Sequence, residues 1–259
     1  MMTIKEQLAE QECLTELRSF MLEKTFSYGY SKWDLHLRSL LHWHRYEKIV
    51  DEVLRLVPQG FVLDVGCGMG QITEMLYLKG IKVVGIDIGG SIRKCEVWKH
   101  LRASLILGDA INLPFESEMF DAVVCCGVLE HVYNERKFLE ECRRVLKNKA
   151  LFLCYFLPNK TGCESLFSRI ASTGHKFYDK NSIGHLFKEC GYEVLTVTRE
   201  HVIPQPHFSS QAPDIWNRLH KVLTLLDDAL TKTPLEFFGD DWRVYARKKP
   251  SSQEKLQWV

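Results

Sequence analysis

The chain has 259 residues, a formal net charge of +1 at pH 7 and 46% hydrophobic residues. This length and composition suffice for one substantial hydrophobic core, and one domain with additions is favoured over two independent domains. The small net charge argues against a broad electrostatic attraction to nucleic acid, although it leaves a local basic patch open. We therefore expect no nucleic-acid partner.

The nine cysteines show no paired Cys-x-x-Cys spacing, and most fall in predicted strands and helices. We interpret them as reduced, buried, small apolar side chains. Charges at Lys5, Glu6 and Glu10 interrupt the apolar core that a signal peptide needs, and no apolar stretch is long enough to span a bilayer. These features predict a cytoplasmic protein without a transmembrane segment.

Two helices are predicted ahead of the first strand. Apolar residues at helical spacing indicate one helix over about residues 4–24 and another over about 33–57. The second helix carries an aromatic and histidine-rich segment that includes His44 and Arg45. One interpretation is a lid in which His44 or Arg45 would be the polar contacts to a bound cofactor's carboxylate and to a substrate. Core packing explains the aromatic residues at least equally well.

A strand and a glycine turn follow. The strand contains Asp64 and leads into three glycines at alternate positions, Gly66, Gly68 and Gly70. Glycines at this spacing let the backbone turn sharply and approach a ligand closely. A helix beginning at Gln71 would point its first amide groups at that ligand. The pattern predicts a nucleotide-type cofactor site at the end of the first strand.

Three further strands follow, and acidic residues come at or just after the ends of the first two. Asp87 ends a strand about twenty residues after the glycine turn, where a carboxylate can take both hydroxyls of a ribose. Asp109 and Ala110 follow the third strand. The fourth strand, residues 120–126, leads into Gly-Val-Leu-Glu-His at 127–131.

The rest of the chain continues the alternation of strands and helices. The segment at about 200–240 is too long for a hairpin connection, and it contains an amphipathic pattern over about 214–231. We predict that this segment is a helical cap inserted between the last two strands. The remaining predicted elements are a helix over 134–146, a strand over 150–156, a helix capped by Asp179 or Asn181, a strand over 192–198 and a strand over 242–246.

Taken in order, the motifs between about residues 60 and 157 resemble those of the class I S-adenosylmethionine-dependent methyltransferases. The resemblance implies an α/β, Rossmann-like fold with a seven-stranded, mostly parallel sheet and helices on both faces. It implies S-adenosylmethionine as the cofactor. The main alternative on the same fold is a nicotinamide or flavin site, which prefers a glycine at the position of Gln71.

The resemblance also implies roles for individual residues. The glycine loop would pass under the methionine part of the cofactor, and Asp64 would orient the loop and the cofactor's ammonium group. Asp87 would bind the ribose diol, while Ile88 would pack on the adenine face. The predicted cofactor-binding residues are Asp64, Gly66, Cys67, Gly68, Gly70, Asp87, Ile88, Asp109, Ala110 and Cys126.

Methyl transfer requires no universal catalytic residue, because the cofactor itself is activated. His131 is the predicted base, and its alternative role is to cap the next helix. Gly127 replaces the first carboxylate of the Glu-x-x-Glu-His pattern of metal-dependent relatives, so no metal is predicted. His175 and Tyr178 match a His-x-x-Tyr loop that borders the acceptor in small-molecule enzymes, and His44 is the third predicted acceptor contact.

The acceptor is inferred from absences. The chain lacks the Asp/Asn-Pro-Pro-aromatic turn of amide and base-nitrogen enzymes and the Pro-Cys pair of cytosine-carbon enzymes after the fourth strand. A small molecule of the secondary-metabolite or lipid/quinone-like type, methylated at oxygen or nitrogen, is therefore favoured. A protein or peptide methyltransferase and a non-catalytic cofactor-binding scaffold remain alternatives. We expect a helical extension or lid at 1–58, a methyltransferase domain at 59–259, and a monomer or homodimer.

Overall fold

The computed structural model describes residues 12–21, 40–88, 97–162, 176–202, 222–223, 225–227, 229–234 and 239–250. Within these ranges the helices and strands alternate along most of the chain, as predicted. In chain order they are α1 (12–21), α2 (Leu40–Leu56), β1 (Phe61–Val65), α3 (Gln71–Leu78), β2 (Lys82–Asp87), β3 (Ser104–Leu107), β4 (Phe120–Cys126), α4 (Glu135–Val145), β5 (Leu146–Pro158), α5 (Lys180–Glu189), β6 (Tyr192–Glu200) and β7 (Asp241–Lys248).

The strands form a seven-stranded sheet in the order β3-β2-β1-β4-β5-β7-β6. Strand β7 is antiparallel to both of its neighbours, and the other pairings are parallel. The carboxyl ends of β1 to β6 therefore lie at one edge of the sheet, where β7 begins. We call this the carboxyl edge, and ligands of open α/β sheets bind there. The predicted Rossmann-like fold is confirmed.

Helices cover both faces of the sheet, which is why the central strands are apolar almost throughout. On one face, Phe138 of α4 and Phe187 of α5 pack on Phe152 of β5, with ring centroids 6.3 and 5.6 Å apart. On the other face, buried residues of α1, α2 and α3 form a second core cluster with β1, β4 and β5. Both N-terminal helices thus contribute buried residues to the core on this face of the sheet.

The half-buried carboxylate of Glu52 anchors α2 to β5 and β7. Glu52 Oε1 lies 2.7 Å from Arg243 Nη1, and the Tyr155 hydroxyl donates to Glu52 Oε2 at 3.1 Å. The Tyr245 hydroxyl donates to the same oxygen, and Glu200 lies 2.9 Å from the same arginine nitrogen. Because breaking one partner of a buried ion pair leaves an uncompensated charge, this network fixes the position of α2.

Two helices begin at side-chain caps. The side-chain oxygen Oδ1 of Asn134 accepts a hydrogen bond from Lys137 N at the start of α4. The Asp179 carboxylate accepts one from Ser182 N at the start of α5, which selects Asp179 over the other predicted cap, Asn181. Since Asn134 caps α4, His131 does not have the alternative capping role.

Parts of the predicted extension and cap fall outside the described residues. Residues 22–39 and 203–221 are among them, as is His175. Described residues between 222 and 230 are helical, in agreement with the amphipathic pattern there. The division at residue 58 and the cap over about 200–240 stay predictions. None of the described helices has the length and apolar composition of a membrane span.

Candidate cofactor and acceptor sites

The three glycines after β1 all have positive φ, but they differ in what surrounds them. A Cβ on Gly66, at φ 74°, would lie 2.2 Å from Val128 Cγ2. A Cβ on Gly70, at φ 88°, would lie 2.7 Å from Leu101 Cδ1. A Cβ on Gly68, at φ 58°, would meet no described atom within 4 Å. The loop therefore exposes its backbone to open space at Gly68, as close approach of a ligand requires.

Both backbone groups of Gly68 are held in place. The Asp87 carboxylate accepts from Gly68 N at 2.9 Å, and Trp98 Nε1 donates to Gly68 O at 3.0 Å. Beside this carboxylate, Ile88 is 73% exposed and Leu107 is 58% exposed, although both are large apolar residues. Exposed apolar side chains at the ends of β2 and β3 provide a surface on which a flat base can pack.

Asp109 lies in the turn that follows β3. Its Oδ1 accepts a hydrogen bond from Ile111 N at 3.0 Å. Within the described part of the chain its Oδ2 has no hydrogen-bond partner. That oxygen and the half-buried Ala110 beside it are suited to the polar edge of an adenine, where an exocyclic amine is a donor.

Asp64 is a buried carboxylate within β1. Burial raises its pKa from 3.8 to about 6, the hydrogen bond from Thr73 Oγ1 at 2.6 Å opposes that change, and the charge of Asp87 adds to it. A cation bound nearby would favour the ionised form of Asp64. The residue therefore fits its predicted role toward an ammonium group.

The two predicted cysteines contribute differently. Cys67 is buried, and its backbone N–H donates to Ile86 O at 3.1 Å, which ties the glycine loop to β2. Burial raises the pKa of the Cys126 thiol at the end of β4 well above its ordinary value, so this thiol stays neutral. The contact of Cys67 and Cys126 with the cofactor stays a prediction.

These features fit the cofactor that the sequence resemblance implies. The open backbone at Gly68 and the carboxylate of Asp64 suit the methionine part, and Asp87 suits the ribose. The exposed apolar surface and Asp109 suit the adenine. The structure thus brings the sequence-predicted cofactor residues together along the carboxyl edge, on β1, β2, β3 and β4.

His131 lies in the turn after β4, with its side chain 56% exposed. Its Nε2 is 3.7 Å from Glu130 Oε1, and Glu130 is buried. A Cβ on Gly127 would lie 3.5 Å from the same carboxylate oxygen. His131 is thus at the carboxyl edge beside a buried acid, and its role as a base stays a prediction.

The other predicted acceptor residues have protein partners. Tyr178 is only 6% exposed, and its hydroxyl donates to the Glu135 carboxylate and, at 3.4 Å, to Leu129 O. His44 Nδ1 lies 2.8 Å from Glu47 Oε2 on the same helix. Among the described residues no group of three metal-ligating side chains is found. The acceptor roles of Tyr178 and His44 stay predictions.

A further group lies at the carboxyl ends of β5 and β6, and the sequence did not predict that it would come together. Phe156 and His201 have φ of 57° and 60°, and their ring centroids are 5.7 Å apart. Tyr46 packs edge-on against Phe156 at 6.4 Å, and the Arg45 guanidinium carbon lies 5.8 Å from the Phe156 centroid. His201 Nδ1 is 2.8 Å from Asp241 Oδ2. We call these five residues the Phe156 cluster.

Tyr46 connects the Phe156 cluster with the cofactor residues. Tyr46 packs against the second core cluster, to which β1 and β4 contribute, and Cys126 and Phe156 pack against the same cluster. Tyr46 is thus shared between that core and the ring of Phe156. The Phe156 cluster borders the proposed cofactor region on its β5 side.

Comparisons with known proteins agree with this arrangement. Residues 63–154 match a family model described as a methyltransferase domain. A demethylmenaquinone methyltransferase from Thermotoga maritima is 31% identical over 118 residues, which are 44% of this chain and 51% of that relative. A ubiquinone biosynthesis O-methyltransferase from Pseudomonas putida is 34% identical over 106 residues, 38% of this chain and 44% of the relative. The alignments thus span about half the length of these relatives.

The fold comparison reaches further along the chain. A crystal structure of a SAM-dependent methyltransferase from Thermotoga maritima aligns with a TM-score of 0.60, covering 88% of this chain and 99% of that one at 17% identity. Residues 63–154 therefore belong to a methyltransferase domain family, and the fold of the chain is that of S-adenosylmethionine-dependent methyltransferases. S-adenosylmethionine is accordingly the cofactor that this family implies, rather than a nicotinamide or a flavin.

Proposed function

We propose that this methyltransferase transfers the methyl group of S-adenosylmethionine to an oxygen or nitrogen atom of a small, quinone-like or secondary-metabolite acceptor. The observation that carries the proposal is the Phe156 cluster, in which aromatic rings and ionisable side chains lie beside the cofactor residues. Two relatives named for quinone biosynthesis support an aromatic acceptor.

The reaction makes modest demands on the protein. When bound, the cofactor supplies a methyl group activated on a sulfonium. The chain must align the acceptor lone pair with that methyl group, exclude water and receive the acceptor's proton where one is lost. Aromatic faces at Tyr46 and Phe156 suit the first two tasks, because they offer rigid apolar surface. His131 is the proposed proton acceptor.

A label-transfer assay tests the proposal. The full chain is incubated with S-adenosylmethionine tritiated on the methyl group and, separately, with a pool of catechols and hydroquinones, a pool of small amines, a peptide mixture and bulk tRNA. We expect labelled product from one or both small-molecule pools. Label confined to peptide or tRNA would contradict the small-molecule part of the proposal.

Two variants sharpen the assay. Asp87→Ala removes the carboxylate proposed to bind the ribose and is expected to abolish labelling at low cofactor concentration. His131→Gln keeps a polar side chain and is expected to lower the turnover rate with little change in cofactor affinity. Cofactor binding by the unaltered chain without label in any pool would favour the scaffold alternative.

A further inference from the structure

Arg45 carries a buried guanidinium nitrogen without a partner. Its Nε is buried and makes no hydrogen bond, and no hydrogen bond of this side chain to any other residue of the described ranges is found. An arginine has five N–H donors and keeps its charge in proteins. Buried donors are nearly always paired, and a charged group left unsatisfied is especially costly. The Arg45 guanidinium therefore lacks a hydrogen-bond acceptor, which a group outside the described residues would have to supply.

The neighbouring carboxylates do not fill this need. Glu200 lies 2.9 Å from Arg243, and Asp241 lies 2.8 Å from His201. Burial lowers the pKa of Arg45, while the charges of Asp241, Asp227 and Glu200 oppose that change. These acids thus help to keep the guanidinium charged, but within the described residues none of them accepts a hydrogen bond from its buried Nε.

The surroundings of Arg45 indicate the shape of the missing partner. The guanidinium lies over the ring of Phe156, whose other neighbours are the rings of Tyr46 and His201. Phe156 and His201 are both held in the left-handed region, which costs free energy in residues other than glycine and persists where packing determines it. A carboxylate attached to a flat ring fits these surroundings. The guanidinium can bind the carboxylate through two parallel hydrogen bonds, and the ring can pack beside the aromatic side chains.

The Arg45 guanidinium lies away from the part of the proposed cofactor site that would hold the methionine. Phe156 lies two residues before the end of β5, which is two strands from β1 in the sheet. Neighbouring strands lie about 4.8 Å apart, so β5 is about 10 Å from the strand that leads into the glycine loop. Two of the three acids whose charges act on Arg45, Glu200 and Asp241, come from β6 and β7, still farther from that loop, and the third is Asp227.

We propose that Arg45 binds a carboxylate of the acceptor, which makes the acceptor a small aromatic or conjugated acid. This inference rests on the proposed methyl transfer and narrows its substrate class. Helix α2 would then have two roles. Glu52 anchors it to the sheet, and Arg45, seven residues earlier on the same helix face, would bind the acceptor.

Calorimetry on the full chain tests the inference. The chain is saturated with S-adenosylhomocysteine and titrated with 3,4-dihydroxybenzoate, or with catechol, which lacks the carboxylate. We expect at least tenfold tighter binding of 3,4-dihydroxybenzoate. Arg45→Gln should abolish that preference, and Arg45→Lys should retain part of it. Arg55→Gln, the same change at an exposed position of α2, should leave it intact.

The source of the carboxylate is distinguished with two cofactor probes. 5′-Methylthioadenosine lacks the amino-acid carboxylate that S-adenosylhomocysteine carries. If Arg45→Gln weakens S-adenosylhomocysteine but not methylthioadenosine, Arg45 binds the cofactor and the inference is overturned. Equal or absent binding of the two aromatic probes to the unaltered complex would also overturn it, as would a preference for inorganic phosphate.

Measurements of thermal stability distinguish acceptor binding by Arg45 from a purely structural role of this side chain. Because Arg45 has no hydrogen bond within the described chain, Arg45→Gln is expected to melt no lower than the unaltered protein. A melting temperature lowered by several degrees, together with an equal loss of both aromatic probes, would assign Arg45 to the fold and refute the inference. Failure of the unaltered chain to bind S-adenosylhomocysteine would instead contradict the proposed function itself.

Discussion

Asp64→Asn should stabilise the cofactor-free chain at neutral pH. The carboxylate is buried in β1, and burial raises its pKa from 3.8 to about 6 despite the hydrogen bond from Thr73. At 1.36 kcal/mol per pKa unit, this difference corresponds to about 3 kcal/mol. Above pH 6 the folded chain contains an ionised buried carboxylate, and the free energy of unfolding is lower by about that amount. Asparagine removes the charge and can still accept the Thr73 hydrogen bond.

The dependence on pH has a definite sign. Below about pH 4, Asp64 is protonated in both the folded and the unfolded chain, so its stabilising contribution is fully present. Between pH 4 and 6 the folded chain holds a proton that the unfolded chain has lost, and the free energy of unfolding decreases as pH rises. Above pH 6 the decrease is complete. The Asp64→Asn variant lacks this decrease.

Urea unfolding of the unaltered and variant chains between pH 4 and 7 measures the effect. We expect the variant's advantage to grow by about 3 kcal/mol across this range. Asp121→Asn is the control with opposite sign: although burial opposes it, hydrogen bonds from Phe61 N and Lys147 lower the pKa of Asp121. Parallel pH profiles for Asp64→Asn and the unaltered chain would refute the raised pKa.

Three further predictions concern the cofactor. Gly68→Ala and Gly80→Ala place a Cβ in open space at positive φ, so each should cost about 1–2 kcal/mol of stability, but only Gly68→Ala should weaken S-adenosylhomocysteine binding in calorimetry. Asp87→Ala should weaken the same binding by about 1.5–3 kcal/mol, and unchanged affinity would remove Asp87 from the ribose site. Excess EDTA should leave methyl transfer intact, whereas a loss reversed by magnesium or zinc would show that a metal takes part.

The fold was predictable, and so was the meeting of the proposed cofactor residues at one edge of the sheet, because each signal is local. A parallel strand buried on both faces is a continuous apolar run, and the acids at Asp87 and Asp109 come at or just after the ends of such runs. The Asp179 cap is also local, because the hydrogen-bond partners are three residues apart. Sequence spacing therefore carried most of the information for these features.

The acceptor side was not predictable in the same way. The Glu52 network joins α2 to Arg243, 191 residues later, and no pattern in one sequence reveals such a pair. The left-handed backbone of Phe156 and His201 lacks the usual glycine or asparagine signal. Tyr178 matched a loop motif, but its hydrogen bond to Glu135 depends on how α4 packs beside the loop.

The reversed direction of β7 explains why ionisable residues gather at this end of the sheet. In a parallel sheet, only strand ends reach the carboxyl edge. Because β7 runs the other way between β5 and β6, its first residue, Asp241, lies there and pairs in register with Glu200 at the end of β6. Asp241 can therefore contact His201, just past the end of β6. The antiparallel strand β7 thus supplies an acid, Asp241, to the Phe156 cluster at the carboxyl edge. In a wholly parallel sheet, an acid at this place would have to come from a strand end or a loop.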